Sequence, residues 1–160
     1  MLFGFGRSSP PVIRPLRIAK ARDCARLHAA EFAYPWSAEE IADLIAASST
    51  LSASALDPAT GRVRGFVLAR VAADEAEILT IAVETAAQGK GVGRALMREA
   101  LRQAANAGAR TIFLEVAAEN AAAVALYLRL GFLKVAERTG YYRKKSGQRA
   151  TAIVMRRGLS

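Results

Sequence analysis

The clearest run of apolar and polar positions in the chain lies between Ala76 and Gly108. Ala76 to Val83 is an apolar run of strand length. Gln88, Gly89, Gly91 and Gly93 then fall within six positions. Ala95, Leu96, Met97, Ala100, Leu101 and Ala104 follow at helical spacing, and Gly108 supplies the stop. The order is strand, glycine-rich turn, helix. Such a turn presents unpaired backbone N–H groups at a helix N-terminus, which suits an anion and most often a phosphate. Glycine lets backbone approach a ligand with no Cβ in the way.

The rest of the chain divides around this unit. Val12 to Ala19 predicts a first strand, kept near an edge by Pro15. Asp23 to Phe32 carries Ala25, Leu27, His28, Ala29 and Phe32 at helical spacing. Ser37, with Glu40 three residues on, forms a capping box for a helix to about Ala47. Thr50 to Leu56 and Arg62 to Ala72 flank Asp57-Pro58-Ala59-Thr60-Gly61 and read as a hairpin. Ala73-Asp74 turns tightly into Glu75 to Val83, so three antiparallel strands lead into the glycine loop. Beyond the central helix, Arg110 to Val116 is a strand with Thr111, Phe113 and Glu115 on one face. A helix starts at Glu119-Asn120 and stops at Gly131. Phe132 to Glu137 is a strand, Arg138 to Arg149 a basic loop, and Ala150 to Arg156 the last strand. Hairpins followed by a strand–helix–strand unit argue a mixed α+β domain.

Composition bounds this picture. One hundred and sixty residues suit one domain, expected over 12–160 behind a loose tail at 1–11. The tail lacks the apolar stretch of a signal peptide, and no apolar run approaches the roughly 20 residues of a membrane span. Cys24 is the single cysteine, so no internal disulfide can form and a reducing, cytoplasmic setting fits. One His and one Cys give no metal-ligand cluster, and no metal is expected. The balance of 23 basic to 14 acidic residues, a net +9, favours polyanions: nucleic acid, ribosome, anionic membrane or the phosphates of a cofactor. No interleaving of aromatic and basic residues marks an RNA-binding module.

The glycine loop excludes two phosphate sites. Lys90 is followed by Gly91 rather than Ser or Thr, so it is no Walker A loop. Gly89, Gly91 and Gly93 are evenly spaced, unlike G-x-G-x-x-G. The pattern present is Q-x-x-G-x-G, as Gln88, Gly91 and Gly93. Read from the glycines alone, a flexible turn entering a helix explains the loop about as well.

The Q-x-x-G-x-G pattern resembles the pyrophosphate loop of the GNAT acetyltransferases, and that resemblance implies acetyl transfer from a thioester to an amine. Such transfer needs a base for the ammonium, a donor for the carbonyl oxygen and a proton for the departing thiolate. Acid–base groups contribute typically ~10²–10⁴-fold to such transfers. Glu115, near the end of an apolar strand, is the candidate base, where burial would raise a carboxylate. On spacing alone, pairing with an arginine or with backbone explains it better. Tyr127 is the candidate acid; a core aromatic is the plainer reading. Asn120 reads first as a helix cap. Trp36 reads as packing at a helix start or as one wall of a groove. His28 reads as a packed, hydrogen-bonded residue, and Cys24 as a small core residue.

Together the positions say more. E-V-x-x-x-N-x-x-A-x-x-L-Y-x-x-x-G-F, from Glu115 to Phe132, and the Gln88 loop resemble the GNAT acetyltransferases. With Pro35-Trp36-Ser37, Leu114-Glu115-Val116 and Tyr141-Tyr142, the chain resembles the bacterial ribosomal-protein-alanine N-acetyltransferase family. The resemblance covers nearly all of the chain after the tail. It implies a central, mostly antiparallel twisted sheet with helices on both faces and acetyl-CoA as acetyl donor. It implies Glu115 as base and Tyr127 as acid toward the CoA sulfur. Ile81, Ala82 and Val83 would hold the acetyl group and pantetheine. Gln88, Gly89, Lys90, Gly91, Val92, Gly93 and Arg94 would hold the pyrophosphate, with Asn120 on the CoA arm. Trp36, Tyr141 and Tyr142 would face the substrate, a protein N-terminus in that family: alanine of a small-subunit ribosomal protein. The chain departs from the family at one place. Thr151 stands about where the family has Asp, and the loop before it is basic.

Two rival readings accompany this one. One is a GNAT enzyme of a small amine or a lysine side chain. The other is a non-catalytic CoA- or ribosome-binding module that uses the basic surface. The sequence does not fix the oligomeric state.

Overall fold

The computed structural model describes residues 10–159. The tail expected over 1–11 lies, but for its last two residues, outside the described residues. The elements in chain order are β1 (Val12–Arg14), α1 (Ala21–Glu31), α2 (Ala38–Ala46), β2 (Thr50–Leu56), β3 (Val63–Ala72), β4 (Glu75–Val83), α3 (Val92–Asn106), β5 (Thr111–Ala117), α4 (Ala121–Arg129), β6 (Leu133–Arg143) and β7 (Arg149–Gly158). Short 3₁₀ turns occupy Ile18–Lys20 and Thr85–Ala87.

Local chemistry explains the boundaries. Ser37 accepts from the Glu40 N–H at 3.1 Å while Glu40 accepts from the Ser37 N–H at 3.2 Å, the reciprocal cap expected of α2. Asn120 caps α4 by accepting from the Ala123 N–H. Past the ends of α3 and α4, Gly108 and Gly131 adopt φ of 89° and 88°, the left-handed turn that glycine takes at least cost.

The strands form one sheet in the order β1-β2-β3-β4-β5-β7-β6. Neighbours run antiparallel except β4 and β5, which run parallel around the α3 crossover. One face packs under α1 and α2 through Cys24, Ile41, Phe66, Leu68 and Ala82. The other packs under α3 and α4 through Val67, Leu96, Met97, Ile112, Leu114 and Tyr127. The mixed architecture with helices on both faces is the one the sequence predicts.

Two elements differ from expectation. The first strand ends at Arg14, because Pro15 lacks the N–H a ladder needs; Leu16 turns into the core and Ile18–Lys20 coils. The basic stretch from Arg138 is no loop: β6 continues to Arg143, and only 144–148 connects it to β7. As the sheet's outermost strand, β6 is exposed at nearly every position, so it carries no alternation to read. Its register slips where Arg138 pairs with Ala152 but Tyr142 with Ala150, a bulge through Gly140 at φ 63°.

The feature that positions the site is a gap. β4 and β5 pair only from Glu75↔Thr111 to Glu77↔Phe113, then part. At the parting, Leu68 faces Thr80 and Ala69 faces Ile78 across β3, leaving Leu79 as an extra residue in β4. That bulge bends β4 away from β5.

Candidate active site

The gap opens on the α3/α4 face into a cleft of about 480 Å³. Ile81, Ala82 and Val83 form one wall. Gln88, Gly89, Gly91, Gly93 and Arg94 form the rim, and Asn120, Leu126 and Tyr127 close the far side. Glu31, Phe32, Ala122, Ala123 and Arg129 also line it; none is among the predicted site residues, although Ala123 stands in the motif that runs from Glu115 to Phe132. Helical periodicity alone assigns Leu126 and Ala123 to core; their places in that motif are the signal that could have marked them.

The loop geometry follows from glycine. Gly89 and Gly91 sit at φ of 76° and 83°, and Gly91 is the N-cap residue of α3. A Cβ on either would meet nothing within 4 Å, so the backbone conformation is what requires glycine there. The first turn of α3 holds no acidic side chain and has no side-chain cap. Its leading N–H groups and the positive end of its dipole are free for an anion. Gly93 leaves an opening between Val83 and Leu126, whose side chains a Cβ would touch at 3.9 and 3.5 Å. Val92 turns its side chain into the core and Lys90 is exposed; neither lines the cleft.

Gln88 has a positional task. Its Nε2 donates to the Val83 carbonyl at 3.0 Å and to the Glu31 carboxylate at 3.1 Å, tying the loop to β4 and α1. The Glu84 N–H donates to Arg64 O on β3 at 2.8 Å. By strand alternation the peptide groups of Ile81 and Val83 face away from β3, toward the gap. An apolar wall with unpaired strand amides, beside a glycine cradle at a helix N-terminus, fits a long thioester cofactor bearing a pyrophosphate.

Glu115 is on the other face. It lines a second groove of about 370 Å³ with Arg70, Glu77, Phe113 and Val154. The apolar strand does not bury it: its side chain is 30% exposed and accepts from Arg138 Nη1 at 2.9 Å. The arginine partner is the one that spacing alone favours. The Arg138 guanidinium also lies 4.2 Å from the Tyr141 ring centre, a cation–π distance. Tyr141 meets Tyr142 edge to face at 5.5 Å. Burial first, then the charge of Glu115, then Tyr141, pushes the Tyr142 hydroxyl upward, with Arg138 opposing. Tyr127, 7% exposed, is pushed up to about 12 by burial first and then by Tyr142. Neither Tyr141 nor Tyr142 lines the cleft or the second groove.

Trp36 is not in either groove. Its backbone N–H donates to His28 Nδ1 at 3.1 Å, and its ring stacks on His28 at 4.9 Å. His28 is 2% exposed and also stacks on Phe32 at 4.1 Å, the packed histidine expected. Cys24 is fully buried, its thiol pushed up to about 12 by burial and then by Asp23. Among the described residues no three His, Cys, Asp or Glu side chains cluster as metal ligands, and no helix is long and apolar enough to cross a membrane.

A sheet split between two parallel strands, with a glycine cradle at one end of the split, is the architecture of the acyl-CoA N-acyltransferases. Residues 21–132 match the family model described as the acetyltransferase (GNAT) family, and the chain belongs to that family. It is 41% identical over 95 residues to the [ribosomal protein bS18]-alanine N-acetyltransferase of Escherichia coli K12. That alignment covers 59% of this chain and 64% of the relative's length. It is 35% identical to the N-alpha-acetyltransferase RimI of Mycobacterium tuberculosis over 94% of both chains. The crystal structure of the Escherichia coli ribosomal-protein-S18-alanine N-acetyltransferase superposes with a TM-score of 0.85 at 32% identity, covering 94% of each chain. Arabidopsis thaliana NAA60 in complex with acetyl-CoA shares the fold at a TM-score of 0.82 and 21% identity, over 93% of this chain and 98% of that one. Acetyl-CoA is the acetyl donor of the family.

Proposed function

We propose that this chain transfers the acetyl group of acetyl-CoA to the N-terminal α-amine of a protein, and that its target is the N-terminal alanine of a small-subunit ribosomal protein. The reading takes residues 12–160 as one catalytic domain working in the cytoplasm. The observation that carries it is the parting of β4 and β5 after Glu77 and Phe113, with a cleft lined by Ile81 to Val83 on one face of the sheet and a groove lined by Glu115 on the other. A thioester held on one face is open to an amine on the other.

Acetyl-CoA supplies an activated carbonyl. The amides of α3's first turn and of Gly89 to Arg94 hold its pyrophosphate. The strand amides of Ile81 and Val83 direct the carbonyl, and their N–H groups meet the charge that develops on its oxygen. Asn120 and Leu126 border the pantetheine arm. Glu115 takes a proton from the amine as the C–N bond forms and the C–S bond breaks. Tyr127, neutral at every working pH, donates to the departing sulfur. In this reading Tyr141 and Tyr142, grouped with Arg138 on β6, face the incoming peptide. Cys24 lies apart from both grooves, so attack is direct.

The test is a panel of short peptides beginning Ala, Ser, Gly and Met, incubated with acetyl-CoA and followed by CoA release and peptide mass. The expected product carries one acetyl group on the α-amine of the Ala or Ser peptide. Glu115→Gln lowers kcat by about 10²-fold or more on the scale of a lost general base. Acetylation of small amines or lysine side chains alone would favour the first rival. No acetylation of any amine by wild type, with salt-steep binding to RNA that Glu115→Gln leaves intact, would favour the non-catalytic module.

A further inference from the structure

The Arg138–Glu115 pair raises a problem that the proposed function alone does not solve. A carboxylate that receives an ammonium group already has a cation on it, at 2.9 Å. We propose that Arg138 is a specificity residue: it holds Glu115 while the groove is empty, yields it to the substrate's amine, and then takes an acidic side chain at the second or third residue of the substrate. The proposal rests on the reading of Glu115 as the base of an N-terminal acetyltransferase.

Three observations carry it. The first is exposure. The side chains are 48% and 30% exposed, and pairs this open to water are weakly held. An incoming ammonium can therefore replace the guanidinium at small cost. The second is what remains to Arg138 afterwards. Its other contact is the face of the Tyr141 ring at 4.2 Å. That contact positions the planar fork but satisfies none of its N–H groups, so the fork is left seeking a carboxylate, which it can bind at two points. The third is the surrounding charge. Residues 138–149 hold Arg138, Arg143, Lys144, Lys145 and Arg149 and no acidic residue. Lys144 is anchored on Glu119 at 2.6 Å, which fixes this end of the hairpin beside the β5–α4 connection. Arg143, Lys145 and Arg149 form no ion pair among the described residues. A chain leaving the groove past this hairpin meets positive charge.

Reach selects the positions. Consecutive Cα atoms are about 3.8 Å apart. With the α-amine on Glu115, the side chains of the second and third residues are those within range of a guanidinium released from the same carboxylate. The wider field adds attraction but no choice of position.

The experiment compares three peptides, Ala-Glu-Glu, Ala-Gln-Gln and Ala-Lys-Lys at the start of one neutral sequence, in wild type and in Arg138→Gln. Wild type is expected to favour the Glu peptide over the Gln peptide by about fivefold in kcat/KM, carried by KM, and to disfavour the Lys peptide. In Arg138→Gln the Glu-to-Gln ratio falls to about one. Arg138→Lys keeps the charge without the fork and retains part of the preference. A flat wild-type profile, or a preference for the Lys peptide, overturns the proposal while leaving the acetyltransferase reading intact. An equal Glu-to-Gln ratio in wild type and Arg138→Gln overturns the assignment to Arg138. Acetylation of none of the three overturns the acetyltransferase reading itself, and this proposal with it.

Discussion

Tyr127 shows how far one side chain is set by its surroundings. It sits on an Ala/Leu helix face, packs edge to face on Phe132 at 6.0 Å and is nearly buried. As a core aromatic this needs no further explanation, and the sequence offers none beyond its place in a resemblance. What the structure adds is the open cleft beside it. Burial favours the neutral phenol, so its proton is retained until about pH 12. A group that stays protonated can donate at every working pH. Two outcomes are expected of one kinetic series. Tyr127→Phe lowers kcat roughly 10²-fold with KM for acetyl-CoA little changed. The wild-type kcat profile shows no falling limb assignable to this tyrosine below pH 10. A Tyr127→Phe enzyme with full kcat would remove the residue from the chemistry. Glu115 teaches the opposite lesson. Its strand neighbours Leu114 and Val116 are buried, which invites the inference that it is buried too. Strand alternation sends it to the open face instead, where Arg138 reaches it from two strands away. That pairing depends on the order of β5, β7 and β6, which no local pattern encodes.

Among the elements, those whose ends are fixed by local chemistry were legible and those fixed by pairing were not. The capping box of α2, the glycine stops of α3 and α4 and the glycine loop each follow from a few adjacent residues. β6 does not, since an edge strand with water on both sides needs no alternation. The connection from α1 to α2 is the element most open to a pH test. His28 Nδ1 accepts the Trp36 backbone N–H, so that nitrogen must be unprotonated. Burial pulls the imidazole below its usual 6.5, with Glu40 opposing. The unfolded chain therefore takes up a proton before the folded one does. The resulting stability is present above pH 6.5 and is lost as pH falls below it toward the folded value. Urea unfolding of wild type between pH 7 and pH 5 is expected to show this loss. In His28→Phe the stack on Phe32 and Trp36 persists, the Trp36 N–H loses its acceptor at a cost of about 1–3 kcal/mol, and this part of the pH dependence disappears. Equal slopes in the two proteins would show that His28 is not the titrating group.

At the scale of the whole molecule the sheet divides the work between its faces. Helical cover on the α3/α4 side makes a cofactor-sized cleft, while part of the opposite side is left bare beyond α1 and α2. The division exists because β4 and β5 pair at three positions and then separate around the Leu79 bulge. Neither strand's sequence announces this: Ala76 to Val83 reads as one continuous strand, and so does Arg110 to Val116. The resemblance to a family named Ile81 to Val83 and the glycine loop, which line the cleft apart from Lys90 and Val92, but it also named Trp36, which lies in neither groove, and it did not reveal that Glu115 faces the opposite side of the sheet. The central claim is that the two grooves form one path through the gap. A conjugate in which CoA is joined through an acetyl bridge to the α-amine of an Ala-starting peptide tests it most directly, by titration calorimetry against CoA and the free peptide. If the path is continuous, linkage makes the second contact intramolecular, and the conjugate binds at least ~10²-fold more tightly than either part alone. A conjugate that binds no better than CoA itself would mean that no peptide crosses from Glu115's groove to the cleft, and the account would be wrong at its centre.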